Sequence, residues 1–526
     1  MKTITSKASS RPLGVAKALV GGAIDEGFVY SKSVILTGDS VVLGTANGRW
    51  CFLDSLQLLL RVVGHLTIIV PAELETLDAE VRQYCSDAWC RGSIQIIRPE
   101  TPIALGFADA ILSVGSEVAA ELPWTTINSN GWVARVSSGP TALPADTGQA
   151  NPIAALMAVS LGVTEVFKRL FGVPADRAPL LDLVEFSLFE MSSEPSSLGP
   201  PLPEDIDLPD TLLVGGGAIG NGLALLLSQL PLRGRMHIVD KEDYAEENLG
   251  TCVLVALTGW LGEPKAEKLA AWLRRHSRME VTGEKALVAD ARSGSTVRSL
   301  SVDLVIDGLD NVGARHEAQS LWPSVIVDGG ISEVGASVVQ SRLDRPDLAC
   351  LACSYDQPRD SLLNRQRRLS GLSHESLADQ NRTLTEQDVA QADPTKREWL
   401  RKLLAQKRTV CSIFSEAGLA ELGVDAEEGF RPSAPFVATA SASMVIAEVV
   451  KALVFPEAEF AQWSAMGSLF LGPASTAKIH RRPLPTCHCV VHRAVIEALR
   501  RKRRSSCARH SSQAVVEGSG LAPLSL

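Results

Sequence analysis

Two regions of the chain alternate short β-branched runs with amphipathic helical patterns, and a polar stretch separates them. This alternation predicts α/β architecture with parallel sheets. The separating stretch, SSEPSSLGPPLPEDIDLPD at 192–210, is rich in proline, serine and acid and reads as an exposed linker. The two regions also resemble each other, in the same order. VVLG at 41–44 matches LLVG at 212–215, and ADAILSVGS at 108–116 matches VDLVIDGLD at 302–310. PWTTINSNGW at 123–132 matches PSVIVDGGIS at 323–332, and EVFK at 165–168 matches EVVK at 448–451. The offsets grow along the chain: 171, 194, 200, 283. A duplicated fold whose second copy carries insertions explains this, the largest being about 83 residues before the final helix.

Composition narrows the picture. The 526 residues allow roughly two to four domains. A hydrophobic content of 45% and a charged content of 21% are ordinary for a globular chain. The net charge of −9 offers no basic face, so no nucleic-acid partner is expected. No apolar run reaches the ~20 residues that span a bilayer, and the N-terminus lacks a signal-peptide pattern. A soluble, cytoplasmic protein without a membrane is therefore expected. Ten cysteines are too few for a disulfide scaffold, and paired ones suit metal ligation better. The end of the chain, RRKRRSSCARHSSQAVVEGSGLAPLSL, reads as a basic, disordered tail.

Candidate chemistry concentrates in the second copy. TLLVGGGAIGNGLALLLSQL runs from a strand into a helix, with Gly215, Gly217 and Gly220 spaced G-x-G-x-x-G. These glycines suit a tight turn, backbone approach to a phosphate and close helix–strand packing. The helix N-terminus adds free N–H groups for an anion. RMHIVD ends in Asp240, positioned to hold a ribose hydroxyl. These features alone fit any dinucleotide enzyme, including an NAD oxidoreductase. Asn248, Lys265 in GEPK, and Asp307, Asp310, Asn311 and Arg315 in LVIDGLDNVGAR change that. A lysine and an aspartate at strand ends suit ATP with Mg2+, which hydride transfer does not need. The first copy reads GTANGRW in its turn and has Ser116 where the second has Asp310, so its phosphate site is degenerate.

The string D-x-E-x-Y-x-x-x-N-L, then G-x-P-K, then D-G-x-D-N-x-x-x-R resembles the ThiF/MoeB family, which includes the ubiquitin-activating enzymes. The likeness covers about residues 205–495, and the pseudo-copy at 30–190 extends it. It implies two Rossmann-like adenylation folds, the first degenerate and the second active. It implies adenylation of the C-terminal glycine of a ubiquitin-like protein by MgATP. Asp240 would hold ribose, Asn248 and Lys265 phosphates, and Asp310 Mg2+, next to Asn311. Where the family has N-L-x-R-Q this chain has Thr251 and Cys252, so the usual phosphate-binding arginine is missing. Another basic residue would have to substitute. Arg11, in SSRPLG, is a candidate finger, and a solvated tail arginine is the plain alternative.

Cys350-x-x-Cys353 and the downstream Cys487-His488-Cys489 suit a tetrahedral structural Zn2+. The C-x-C spacing leaves the fourth ligand open among Cys487, Cys489 and a nearby histidine such as His492. Two unrelated buried pairs are the alternative. In RTVCSIFSEAG, Cys411 could be a core filler, since free cysteine is commonly buried. Its T-x-C-S-I string resembles the cysteine loop of ubiquitin-activating enzymes, and the nearby Lys407 and Arg408 favour a thiolate. The resemblance then implies a thioester on Cys411 and transfer to a conjugating enzyme. The layout is similar to the activating enzyme of bacterial ubiquitin-like conjugation operons of antiphage defence. A sulfur-carrier or peptide adenylating enzyme without thioester transfer, and a catalytically silent binding platform, are the rival readings. Two chains could also associate as a homodimer.

The expected organisation is an inactive adenylation-like domain at 1–191 and a linker at 192–210. The active domain then begins at 211–353, is interrupted by a cysteine insertion at 354–430, and resumes at 431–496. A tail occupies 497–526.

Overall fold

The structure is a computed structural model. It describes residues 7–20, 24, 26–88, 92–99, 108–117, 123–255, 258–293, 302–309, 312–332, 334–355, 367, 370–373, 375–377, 382–407, 410, 434–460 and 462–502. The first sheet comprises β1 (Ser33–Gly38), β2 (His65–Ile69), β3 (Ser93–Ile97), β4 (Ala110–Val114), β5 (Trp124–Asn130), β6 (Val133–Ser137) and β7 (Val184–Ser187). The second comprises β8 (Ile206–Val214), β9 (Leu232–Asp240), β10 (Glu280–Lys285), β11 (Leu304–Asp307), β12 (Val325–Ile331), β13 (Ala336–Arg342), β14 (Trp463–Met466) and β15 (Thr476–Ile479). Strand orders are β3-β2-β1-β4-β5-β6-β7 and β10-β9-β8-β11-β12-β13-β14-β15. In each sheet the first five strands run parallel, and the following strands turn antiparallel. The duplication is thus a repeated topology. Central parallel strands are covered on both faces, which is why β4 and β11 are mostly apolar and are buried throughout.

The registers revise two of the sequence matches. VVLG at 41–44 does not form the strand equivalent to β8, because Ser40–Leu43 is a short helix capped by Asp39. Strand β1 fills that place, and its last residue, Gly38, sits where Gly215 follows β8. Ser113 faces Thr126 as Asp307 faces Asp328, which moves the match at 123–132 by two residues. The 192–210 stretch is partly docked chain. Trp132 donates its backbone N–H to Leu198 at 2.8 Å and its indole N–H to Pro200 at 2.7 Å, and β8 already starts at Ile206.

Two 20-residue helices, Pro152–Phe171 and Pro435–Val454, occupy the same place in the two halves and pack against each other. Ser160 and Thr439 meet across the contact at 2.8 Å. Each helix begins with proline at its first position, where no intrahelical N–H is lost. Each buries the repeated Glu–Lys pair: Glu165 with Lys168, and Glu448 with Lys451 at 2.7 Å. Pro435–Val454 is the described helix long and apolar enough to cross a bilayer, and it lies in the protein core. One apolar cluster runs through both halves, from Val34 and Leu36 to Ile238 and Ile446.

The insertion has a small core of its own, built from Leu372, Leu377, Leu384, Val389, Leu400, Leu403 and Val410. Helix Glu386–Gln391 opens it with a Thr385/Asp388 capping box. At the end of the chain, residues 493–502 are helical, so the helix continues into the expected tail; 503–526 lie outside the described residues.

Candidate nucleotide site and cysteine cluster

The glycine turn leaves β8 at Gly215, whose φ of 94° favours glycine. A Cβ on Gly220 would lie 2.0 Å from the Gly215 carbonyl oxygen, so the helix Ala218–Gln229 can start this close to the turn only with glycine there. Gly217 caps that helix, and among the described residues nothing lies within 4 Å of where its Cβ would be. The N-terminal N–H groups of a 12-residue helix therefore face a crevice that the described residues leave free.

Asp240, at the end of β9, accepts the Gly216 N–H at 2.5 Å and the Glu242 N–H at 2.7 Å. Burial raises its pKa, opposed by these two backbone bonds. Lys265 opens the helix Lys265–His276, and its Cβ lies 2.9 Å from where a Gly216 Cβ would be. Its Nζ donates to Glu242 Oε2 at 2.7 Å. Burial alone would lower the Lys265 pKa, but the Glu242 bond and the nearby Cys252 and Asp240 raise it, so the ammonium stays charged. Asn248 accepts the Ala245 N–H at 2.8 Å through Oδ1, which leaves its Nδ2 end available as a donor. The structure thus gathers Gly215, Gly217, Gly220, Asp240 and Lys265 around one turn. Asn248 lies in the segment after β9. Asp310, Asn311 and Cys411 lie outside the described residues; their neighbours Leu309 and Val410 lie within them.

Several participants escaped the motif reading. Asn221 Nδ2 donates to the Gly216 and Gly217 carbonyls at 3.0 and 2.9 Å and to Tyr244 Oη at 3.1 Å, fixing the turn from behind. Its sequence signal was only a polar residue in an apolar helix. Two arginines from the first half approach Thr251 and Cys252. The helix Lys7–Val20 packs on Glu246–Gly250, and half-buried Arg11 is close enough to act electrostatically on the Cys252 thiol. Buried Arg61 donates Nε to the Cys252 carbonyl at 3.0 Å.

On the other wall, the Gly308–Leu309 peptide packs on the turn: a Gly215 Cβ would be 3.2 Å from Gly308 C and O. Beneath it lies a buried acidic pair. Burial and the neighbouring Asp328 push Asp307 well above the carboxylate range, and its Oδ2 has no hydrogen-bond partner among the described residues. Burial raises Asp328 to about 6, opposed by Arg315 and Tyr355. Arg315 Nε donates to Asp328 Oδ1 at 2.8 Å, and Tyr355 Oη donates to Asp328 Oδ2.

Cys350, Cys353, Cys487 and Cys489 converge, with all four Sγ atoms within 4.8 Å of one another. The Cys350–Cys487 and Cys353–Cys489 sulfur separations are 3.7 and 3.6 Å. Tetrahedral Zn–S bonds of about 2.3 Å would put sulfurs about 3.8 Å apart, so the thiols are spaced for one such ion. Both cysteines of the C-x-C segment join the cluster, and His492 lies tilted against His488, with ring centroids 5.0 Å apart. The seven described cysteines are all unbridged.

The ThiF family profile matches residues 193–463, just over half of the chain. Uncharacterized protein y4jF of Sinorhizobium fredii is 31% identical over 238 residues. That match covers 44% of this chain and 43% of that protein, so the chain spans less than half the length of this curated relative. Among solved structures, E. coli MccB crystallised with MccA matches at 13% identity and a TM-score of 0.34, over 54% of this chain and 67% of that one. PaaA matches at 13% identity and a TM-score of 0.31, over 52% and 72%.

Proposed function

Because the chain belongs to the ThiF family, we propose that it is an adenylating enzyme that uses MgATP to activate the C-terminal carboxylate of a ubiquitin-like protein. The supporting observation is the convergence of Lys265, Asp240 and Gly216 on one open helix N-terminus. In this reading the Gly217 turn and Lys265 take the phosphates, Lys265 exchanging Glu242 for them. Asp240 accepts from ribose hydroxyls and Asn248 donates to phosphate. The carboxylate oxygen attacks the α-phosphorus, the bond to the β-phosphate oxygen breaks, and pyrophosphate leaves an acyl-adenylate. Magnesium, assigned to Asp310, would neutralise triphosphate charge. Arg11 is the best-placed replacement for the arginine missing at Thr251–Cys252. The four-cysteine cluster would hold a structural zinc.

Cys411 is assigned as the nucleophile that displaces AMP and forms a thioester for delivery to a conjugating enzyme. The setting is cytoplasmic, in antiphage conjugation. Its described neighbour Val410 is buried in the insertion core and donates its N–H to the Arg382 carbonyl at 3.0 Å, which would tether the cysteine to a folded unit. The test is ATP–pyrophosphate exchange with ubiquitin-fold proteins encoded nearby. Exchange together with a reductant-sensitive thioester, absent in Cys411→Ala, supports the whole reading. Exchange without a thioester leaves a sulfur-carrier or peptide adenylating enzyme. No exchange and no ATP binding by calorimetry leaves a silent platform.

A further inference from the structure

The cysteine turn is joined by side chains to the wall of the glycine crevice. Tyr355 stands two residues after Cys353. Its hydroxyl donates to buried Asp328, and its ring lies under the Arg315 guanidinium, 4.6 Å from the ring centre. Arg315 holds the other Asp328 oxygen and sends Nη2 to the Leu309 carbonyl at 2.6 Å and the Gly329 carbonyl at 3.1 Å. Arg315 sits on the helix Val312–Gln319. The last residue of that helix, Gln319, accepts the Leu351 N–H at 2.8 Å, inside the Cys350–Cys353 turn. The cysteine turn therefore braces this helix at two points, and the helix holds the Gly308–Leu309 peptide against Gly215. The turn is itself fixed by Arg481, whose Nη1 donates to the Ser354 carbonyl at 2.6 Å.

We propose that Tyr355 is a positioning residue that transmits the order of the four-cysteine cluster to the Gly308–Leu309 wall of the nucleotide crevice. The cluster is then more than a clip for the end of the chain, because metal held there stiffens the site where nucleotide binds. A buried bond to a charged carboxylate contributes more than a neutral one, and its loss leaves Asp328 Oδ2 without its Tyr355 donor, so that Arg315 alone holds the carboxylate, through Oδ1. The nucleotide part of this proposal rests on the adenylating function; the mechanical part does not.

The experiment compares the full chain as purified, its metal content measured, with Tyr355→Phe and with both proteins after chelation. Tyr355→Phe keeps the ring over Arg315. Two readouts are taken: amide exchange of residues 308–309, and MgATP affinity by calorimetry. The expected result is exchange about tenfold faster and affinity about tenfold weaker in Tyr355→Phe at full metal content. Chelation should produce the same change in the wild type and little more in the variant. Gln319→Met, which cuts the second brace, should shift exchange in the same direction. Unchanged exchange in metal-loaded Tyr355→Phe overturns the proposal, as does an equal response of both proteins to chelation. A wild type that binds no MgATP would count against the adenylating function instead, and the exchange comparison would still decide the role of Tyr355.

Discussion

The two halves run the same strand order but end in different crevices. In the second half, no described residue crowds Gly217, and the next long helix starts with Lys265. In the first half, the corresponding helix starts with Glu75, which pairs with Arg98, and Ser113 takes the place of Asp307. The first crevice is also filled. Asn128 Nδ2 donates to the Gly115 and Pro144 carbonyls at 3.0 and 2.9 Å, and Asn130 Nδ2 to Thr147 at 2.7 Å. Asn47 Nδ2 donates to the Gln149 carbonyl at 3.0 Å. The segment before the first core helix is thus strapped across the ends of β4 and β5. The equivalent segment of the second half has grown into the long insertion. The comparison teaches that one scaffold can strap its own crossover across the strand ends, as the first half does, or set a lysine beside a glycine turn, as the described residues of the second half do.

The largest expected effect tests the open crevice directly. Lys265→Ala should lower pyrophosphate exchange by about 100-fold or more, by removing a buried cation beside the glycine turn. An exchange rate within threefold of wild type would count against the assignment. Gly220→Ala comes next. Its methyl group would meet the Gly215 carbonyl, so MgATP affinity by calorimetry should fall about tenfold or more, with stability lowered by ~1–3 kcal/mol. Chelating the cysteine cluster should lower the melting temperature by about 5 °C or more, read by calorimetry with and without added zinc.

The smallest effect probes the contact between the halves. Asp54 of the first half is fully buried, accepts from Gln229 of the second at 3.1 Å, and is raised by burial to about 7. A carboxyl whose folded pKa is raised binds its proton more tightly in the folded state. Its contribution is present below the unfolded pKa of 3.8 and is lost as pH climbs towards 7. Asp54→Asn keeps an acceptor for Gln229 without the charge. It should therefore gain ~1–3 kcal/mol at pH 8 relative to wild type, and little at pH 4. Denaturant titrations at the two pH values check this.

The duplication was legible because buried parallel strands need continuous apolar runs and because each core helix repeats its Glu–Lys pair. The glycine turn was legible because its backbone admits only glycine, at the positive φ of Gly215 and at the close approach of Gly220 to the Gly215 carbonyl. The exact register was not: an apolar tetrapeptide such as VVLG suits a strand or a buried helix equally. Asn221, Arg61 and Tyr355 were hidden for another reason. Arg61 and Tyr355 act through partners distant in sequence, as Arg61 does with Cys252, and Asn221 joins the local turn to Tyr244 23 residues on; no local pattern encodes such pairs. The cysteines fell between these cases, since their spacing announced ligands but only folding brought 350–353 to 487–489.

The shared core has a consequence for the second half taken alone. Helix Pro435–Val454 has the length and apolarity of a bilayer span, and only packing against Pro152–Phe171 and the sheets conceals it. Without residues 1–191 that helix would lose its contact with Pro152–Phe171 and expose apolar surface to water. The first half therefore supplies part of the surface that keeps this apolar helix out of water.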